Sequence, residues 1–159
     1  NGSGIATLIT IAREVSENTY PFTLRLIGFG SEELGLRGSR FYVESLSPQE
    51  QDSIIAMLNL DALGTGDVVG VLGDFGLVNR AVEYGQANGI ASERRFSLAA
   101  GTSSDHASFQ QAGIPAVFFL ADDFSRIHTP EDKLDFVQPE LMGNSAALAI
   151  ALLDSLAER

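Results

Sequence analysis

Cysteine and tryptophan are absent from the 159 residues, and histidine occurs only twice, as His106 and His128. Without thiols there is no disulfide, no thiolate nucleophile and no thiolate metal site, and redox usage gives no compartment. Two imidazoles exclude a three-histidine zinc site within one chain, so any metal here leans on carboxylates. Basic residues are also scarce, with 10 Lys and Arg against 21 Asp and Glu, a net charge of −11. That balance argues against binding the phosphate backbone of nucleic acid, which needs clustered cations. It is compatible with cationic ligands, with metals or with simple solubility. No uninterrupted apolar run approaches the roughly 18 residues of a membrane span. The longest candidate, residues 146–153, stops at Asp154. The opening Asn1-Gly2-Ser3-Gly4 lacks an initiator methionine and any cleavable signal pattern, and it resembles the interior of a longer protein.

What is present alternates. Apolar residues Ile5, Leu8, Ile9 and Ala12 recur at helical spacing and predict a helix over 3–17. Residues 22–29 (FTLRLIGF) read as a strand bounded by Gly30, and 38–46 as a short helix. Ser47-Pro48 has the chemistry of a helix cap and first turn. Nearly continuous apolar residues over 54–60 and 116–120 predict strands buried on both faces. Shorter strands are expected at 68–72 and 96–98. Helices are expected at 79–87, at 104–112 closed by Gly113, and at 139–158. Strands alternating with helices predict a single α/β domain over 1–159, a sandwich around a largely parallel sheet.

Acidic and imidazole residues gather just after these strands. Ser31-Glu32-Glu33 follows the first, Asp61 the second, and Asp122-Asp123 with His128 the strand at 116–120. Ligands of open α/β sheets bind outside the carboxyl ends of strands, so these groups are expected to converge on one crevice. Adjacent carboxylates on a surface are commonly just solvated, but Gly28, Gly30, Gly35 and Gly38 bracket Glu32 and Glu33 and permit a tight backbone around them. One carboxylate of such a pair can ligate a metal while the other acts as general base. Asp61 taken alone reads better as a helix cap or turn residue than as a ligand. His128 lies in a polar loop, with Asp132 near enough in sequence to orient its ring. Ser104 reads as a helix cap with Asp105 in the first turn, beside His106. Consecutive Ser104, Asp105 and His106 cannot form a spatial catalytic triad, and no G-x-S-x-G elbow occurs. Neither G-x-G-x-x-G nor G-x-x-x-x-G-K occurs, which removes the common nucleotide signatures.

Taken together, Asn1-Gly2-Ser3-Gly4, Gly30-Ser31-Glu32-Glu33-Leu34-Gly35-Leu36, Asn59-Leu60-Asp61, Ser104-Asp105-His106 with Gly113-Ile114-Pro115-Ala116, and His128-Thr129 with Asp132 resemble the M28 family of zinc aminopeptidases. The motifs stand in the family's order across nearly the whole chain. The resemblance implies a zinc-exopeptidase-like three-layer α/β/α sandwich with a mostly parallel mixed central sheet, lacking its N-terminal strands. It implies Glu32 as general base, Glu33 and His128 on one zinc, Asp61 on a second, and Asp105, His106 and Asp132 in supporting places. The substrate implied is a peptide with a free amino terminus, and the family suggests an extracytoplasmic setting. Two features depart from the pattern. The family's bridging aspartate stands directly before Asn-Gly-Ser-Gly and a further ligand histidine lies upstream, so a chain starting at Asn1 is expected to bind zinc poorly and to be inactive alone. The position some relatives give to an oxyanion-stabilising tyrosine is Ile127, leaving that role to another group such as Arg126 or to a different site. Two alternatives remain: a glutaminyl-peptide cyclase, which resembles the same family but uses one zinc, and a non-catalytic binding domain on a peptidase-like fold.

Overall fold

The computed structural model describes residues 1–98 and 102–158. Four strands form one sheet: β1 (Met57–Leu60), β2 (Val69–Gly73), β3 (Ser92–Arg94) and β4 (Ala116–Leu120), in the order β1-β4-β2-β3. β1 runs parallel to β4 and β2 parallel to β3, while β2 and β4 are antiparallel. The sheet is therefore mixed, with two of its three pairings parallel.

Helices cover both faces. α1 (Gly2–Glu14), α4 (Phe75–Ala87) and α6 (Pro139–Ala157) enclose the larger core, where Phe119, Val71, Leu148 and Leu152 are fully buried. The opposite face carries α2 (Arg37–Ser45) and α5 (His106–Gln111), whose Val43 and Phe109 pack with Ile114 and Ala116. This is the expected three-layer arrangement. Between α2 and β1 lies the short α3 (Pro48–Ser53), begun by a complete capping box in which Ser47 and Glu50 satisfy each other's backbone amides. α6 is long and apolar enough to cross a membrane once its small polar residues are tolerated. Here it serves as a core helix, burying Leu141, Leu148, Leu152, Leu153 and Leu156.

Several boundaries differ from the sequence expectation. Residues 22–29 alternate in burial up to Arg25, shift register at the exposed Leu26, and join no ladder among the described residues. Alternation sets which side chains face inward, whereas a strand also needs a hydrogen-bonding neighbour. Phe22 and Leu24 still pack on the larger core and Phe29 on the smaller. The third short strand is Ser92–Arg94 rather than 96–98, a polar edge segment whose pairing with Val69–Val71 defines it. α4 starts four residues earlier than expected, because the Asp74 carboxylate accepts from the amides of Gly76 and Leu77.

Candidate metal and catalytic centre

The parallel pair β1 and β4 ends on one side of the sheet, and their following loops carry Asp61 and His128. Asp61 still holds the ladder, its amide donating to the Phe119 carbonyl at 3.3 Å. The N-terminus of α1 secures the end of β1. Asn1 caps that helix by accepting from Gly4, and its amide nitrogen donates to the Leu60 carbonyl at 2.8 Å. The approach is so close that a Cβ on Gly4 would lie 2.2 Å from the Leu60 oxygen. Ser3 accepts from the Leu63 amide at 3.0 Å, two residues beyond Asp61.

Glu32 and Glu33 occupy a single 3-10 turn, Glu32–Leu34. The loop around it closes where the Gly38 amide donates to the Gly30 carbonyl, and a Cβ on Gly38 would collide with that carbonyl at 2.5 Å. The expected glycine bracket is thus partly used. Gly35 of that bracket is left-handed (φ 93°), and among the described residues four non-glycine residues share the region: Ser31 (φ 58°), Leu36 (59°), Ala62 (53°) and His128 (61°). Ser31 precedes Glu32, Leu36 closes the same loop and Ala62 follows Asp61. Each such conformation costs about 1–3 kcal/mol and persists only where surrounding structure imposes it, commonly at functional sites.

The structure brings Glu33 and His128 together. His128 Nε2 lies 2.6 Å from Glu33 Oε1, although 95 residues separate them in sequence. Both side chains are about two-thirds exposed. Asp61 is half-buried and accepts a 2.8 Å hydrogen bond at Oδ2 from Ser104. Ser104 in turn accepts from Asn59 Nδ2, also at 2.8 Å. Ser104 is therefore not the cap of α5: its hydroxyl is spent across the sheet on Asp61. Asp132 is exposed, and no hydrogen bond joins it to His128 among the described residues; the side chain the ring meets is Glu33. Arg126 is held to Asp123 at 3.1 Å and lies over the Phe136 ring at 4.3 Å, while Ile127 is exposed.

Charge accumulates here. Burial raises the Glu32 carboxyl above its ordinary pKa, and Glu33, Asp61 and Asp105 add repulsion that His128 partly offsets. Asp105 is likewise raised, first by burial and further by Asp61, with Ser39 opposing. Its Oδ1 is buried without a partner. Burial lowers the His106 imidazole to about 4, so it is neutral at neutral pH. His106 stacks on Phe118 at 4.8 Å and borders a cavity of about 430 Å³ lined also by Leu72, Phe96, Leu98 and Gln110. None of Glu32, Glu33, Asp61 or His128 lines that cavity.

One imidazole and carboxylates suit zinc in chemistry. Among the described residues no three such groups converge on one point, so these residues supply a pair, Glu33 with His128, and a separately oriented Asp61. The donors fit zinc in kind and as a partial set. Asn59, Asn1 and Ser3 went unassigned in the sequence, because each acts through a contact 45 to 60 residues away. The sequence signals were their places in Asn1-Gly2-Ser3-Gly4 and Asn59-Leu60-Asp61 and, for Asn59, its isolation inside the apolar segment 54–60.

Comparison with known proteins gives a consistent set. The profile of Peptidase family M28 matches residues 1–153. Aminopeptidase YwaD of Bacillus subtilis is 32% identical over 162 residues, covering 95% of this chain and 36% of that protein. A probable leucine aminopeptidase of Arthroderma benhamiae is 29% identical, over 99% of the chain and 47% of its own length. Among solved structures, BSAP, a zinc aminopeptidase from Bacillus subtilis, matches with a TM-score of 0.88 at 27% identity, covering 98% of this chain and 41% of that one. The Legionella pneumophila LapA aminopeptidase matches at 0.86 and 28%, covering 100% and 47%. The chain thus spans 36% to 47% of the length of these relatives.

Proposed function

Because the chain belongs to peptidase family M28, we propose that the intact protein is a zinc-dependent aminopeptidase, with Glu32 as its general base. In this reading Glu33 and His128 hold one zinc and Asp61 contributes to a second. The substrate is a peptide with a free amino terminus. The observation that carries it is the 2.6 Å approach of His128 to Glu33 beside the electrostatically strained Glu32. Zinc, when bound, polarises a carbonyl and makes water more acidic.

The remaining chemistry falls to this chain's residues. Glu32 stands beside Glu33 with a raised pKa, suited to accept a proton from attacking water at its carboxylate and to return it to the departing amine. Glu33 Oε1 and His128 Nε2 face each other at 2.6 Å, a contact that a zinc held by both residues would replace. Ser104 and Asn59 hold Asp61 in one rotational setting. The cyclase and binding-module alternatives draw no support from the relatives, which are named as aminopeptidases.

The test is zinc analysis and hydrolysis of amino-acid anilides and short peptides by the intact protein. Release of the N-terminal residue, abolished by chelation and restored by zinc, is the expected result. A protein that binds zinc but cyclises N-terminal glutamine without hydrolysing peptides overturns the aminopeptidase reading in favour of the cyclase.

A further inference from the structure

We propose that Asn59 is a positioning residue for Asp61, acting through Ser104 to set the direction of a hydroxyl proton. The inference rests on the proposed metal-ligating role of Asp61.

Asn59 is 7% exposed and is the polar side chain of the strand Met57–Leu60. It shares a register row with Phe118 on β4 and, one strand further, Leu72 on β2. An apolar side chain at that position would suit the row. A buried amide must be hydrogen-bonded, and this one donates to Ser104 Oγ. Ser104 is 2% exposed and sits between two groups of unlike character. A hydroxyl carries one proton and accepts at its lone pairs. Because the Asn59 N–H occupies an acceptor position, and an amide N–H cannot receive the Ser104 proton, that proton is given to Asp61 Oδ2 at 2.8 Å. The three-residue chain therefore has one polarity, from Asn59 through Ser104 to Asp61. It ties down one carboxylate oxygen, Oδ2, of Asp61. Such outer partners of a ligand typically influence metal affinity about 10- to 100-fold.

Asn59→Asp tests the polarity with almost no change of shape. Its carboxylate competes for the Ser104 proton and removes the donor. In the intact protein, zinc affinity is measured by chelator competition, and the cobalt-substituted protein is followed by its visible absorption. The expected outcome is a loss of about tenfold or more in zinc affinity with a shifted cobalt spectrum; the metal-free protein also unfolds more easily, because a buried carboxylate is added close to Asp61. In a double-mutant cycle, Asn59→Asp is expected to add little once Ser104→Ala has removed the hydroxyl. Asn59→Thr, which suits a strand and deletes the amide, carries the same test if Asn59→Asp does not fold. Unchanged zinc affinity and cobalt spectrum in both variants, or effects that add fully to Ser104→Ala, overturn the inference while leaving the metallopeptidase reading intact. Wild-type protein that binds no zinc at all overturns both.

Discussion

His128 and Glu33 meet at 2.6 Å through Nε2 and Oε1, with His128 held in a left-handed backbone conformation. Exposure decides what that contact does. Both side chains are about two-thirds in water, where an ion pair contributes about 0–1 kcal/mol. A contact worth so little to stability lets the proposed ligand role be separated from a structural one. Glu33→Gln and His128→Ala are therefore expected to shift unfolding of the metal-free protein by less than about 1 kcal/mol. Zinc affinity is expected to fall at least about 100-fold, beyond what loss of an outer partner produces. Denaturant unfolding and chelator competition on the same samples check both halves. A large stability loss with unchanged zinc binding would show the pair to be structural.

Glu32 separates from its neighbour in the opposite way. If Glu32 is the proposed general base, Glu32→Gln is expected to lower kcat of the intact protein by about 10²–10⁴-fold while zinc content is retained. Its raised pKa belongs to the metal-free state, where burial and three neighbouring carboxylates oppose ionisation. Zinc supplies the missing positive charge, so loading is expected to lower the Glu32 pKa. Carboxyl titration by NMR without and with zinc reads that shift. A Glu32 pKa unmoved by zinc places the metal elsewhere.

The expectation that polar residues after apolar segments share a crevice picks out Glu32, Glu33, Asp61 and His128 as candidates, and the structure sets Glu33 against His128. Residues 22–29 join no ladder among the described residues, so Glu32 and Glu33 reach that place without the strand the expectation assumed. Contacts of long range were not legible. Ser104 has the local signature of a helix cap, yet Asp61 and Asn59 take its hydroxyl from 43 and 45 residues away. Residues 22–29 have the apolar content of a strand without a ladder, while Ser92–Arg94 has a ladder without an apolar pattern. In each case hydrogen-bonding neighbours distant in sequence decide the outcome, and periodicity carries no information about them.

Two glycines in helices are expected to respond to alanine with opposite signs. Alanine is preferred over glycine in a helix interior by about 1 kcal/mol. Gly143 on α6 is exposed, and a Cβ there meets nothing within 4 Å, so Gly143→Ala is expected to stabilise by up to that amount. At Gly4 the new Cβ would sit 2.2 Å from the Leu60 carbonyl and 2.4 Å from the Asn1 amide. Overpacking of this kind costs about 1–3 kcal/mol, which outweighs the propensity gain. The displaced group is also the end of β1, one residue before Asp61, so Gly4→Ala is expected to weaken zinc binding as well. Thermal unfolding of the two variants, with zinc titration of the second, checks the contrast.

His106 gives the fold a defined acid sensitivity. Its imidazole is 5% exposed, stacked on Phe118, and lowered to about 4 from an ordinary value of 6.5. Between those values the unfolded chain binds a proton that the folded chain refuses, so stability rises with pH across this window and is lost as pH falls through it. Below about 4 the folded imidazole protonates too, and the loss levels off. Glu32 and Asp105 act with the other sign. Their raised values mean that the folded state binds the extra proton just above the ordinary carboxylate range, so their contribution favours folding as pH falls. Wild-type unfolding alone mixes the two trends, and the difference between wild type and a His106 variant isolates one. His106→Phe keeps an aromatic ring against Phe118 and removes the titration. Its stability relative to wild type is expected to increase steadily as pH is lowered from 6.5 to about 4 in the metal-free protein. A relative stability that stays flat across that interval means His106 takes up its proton in the folded state as readily as in the unfolded chain.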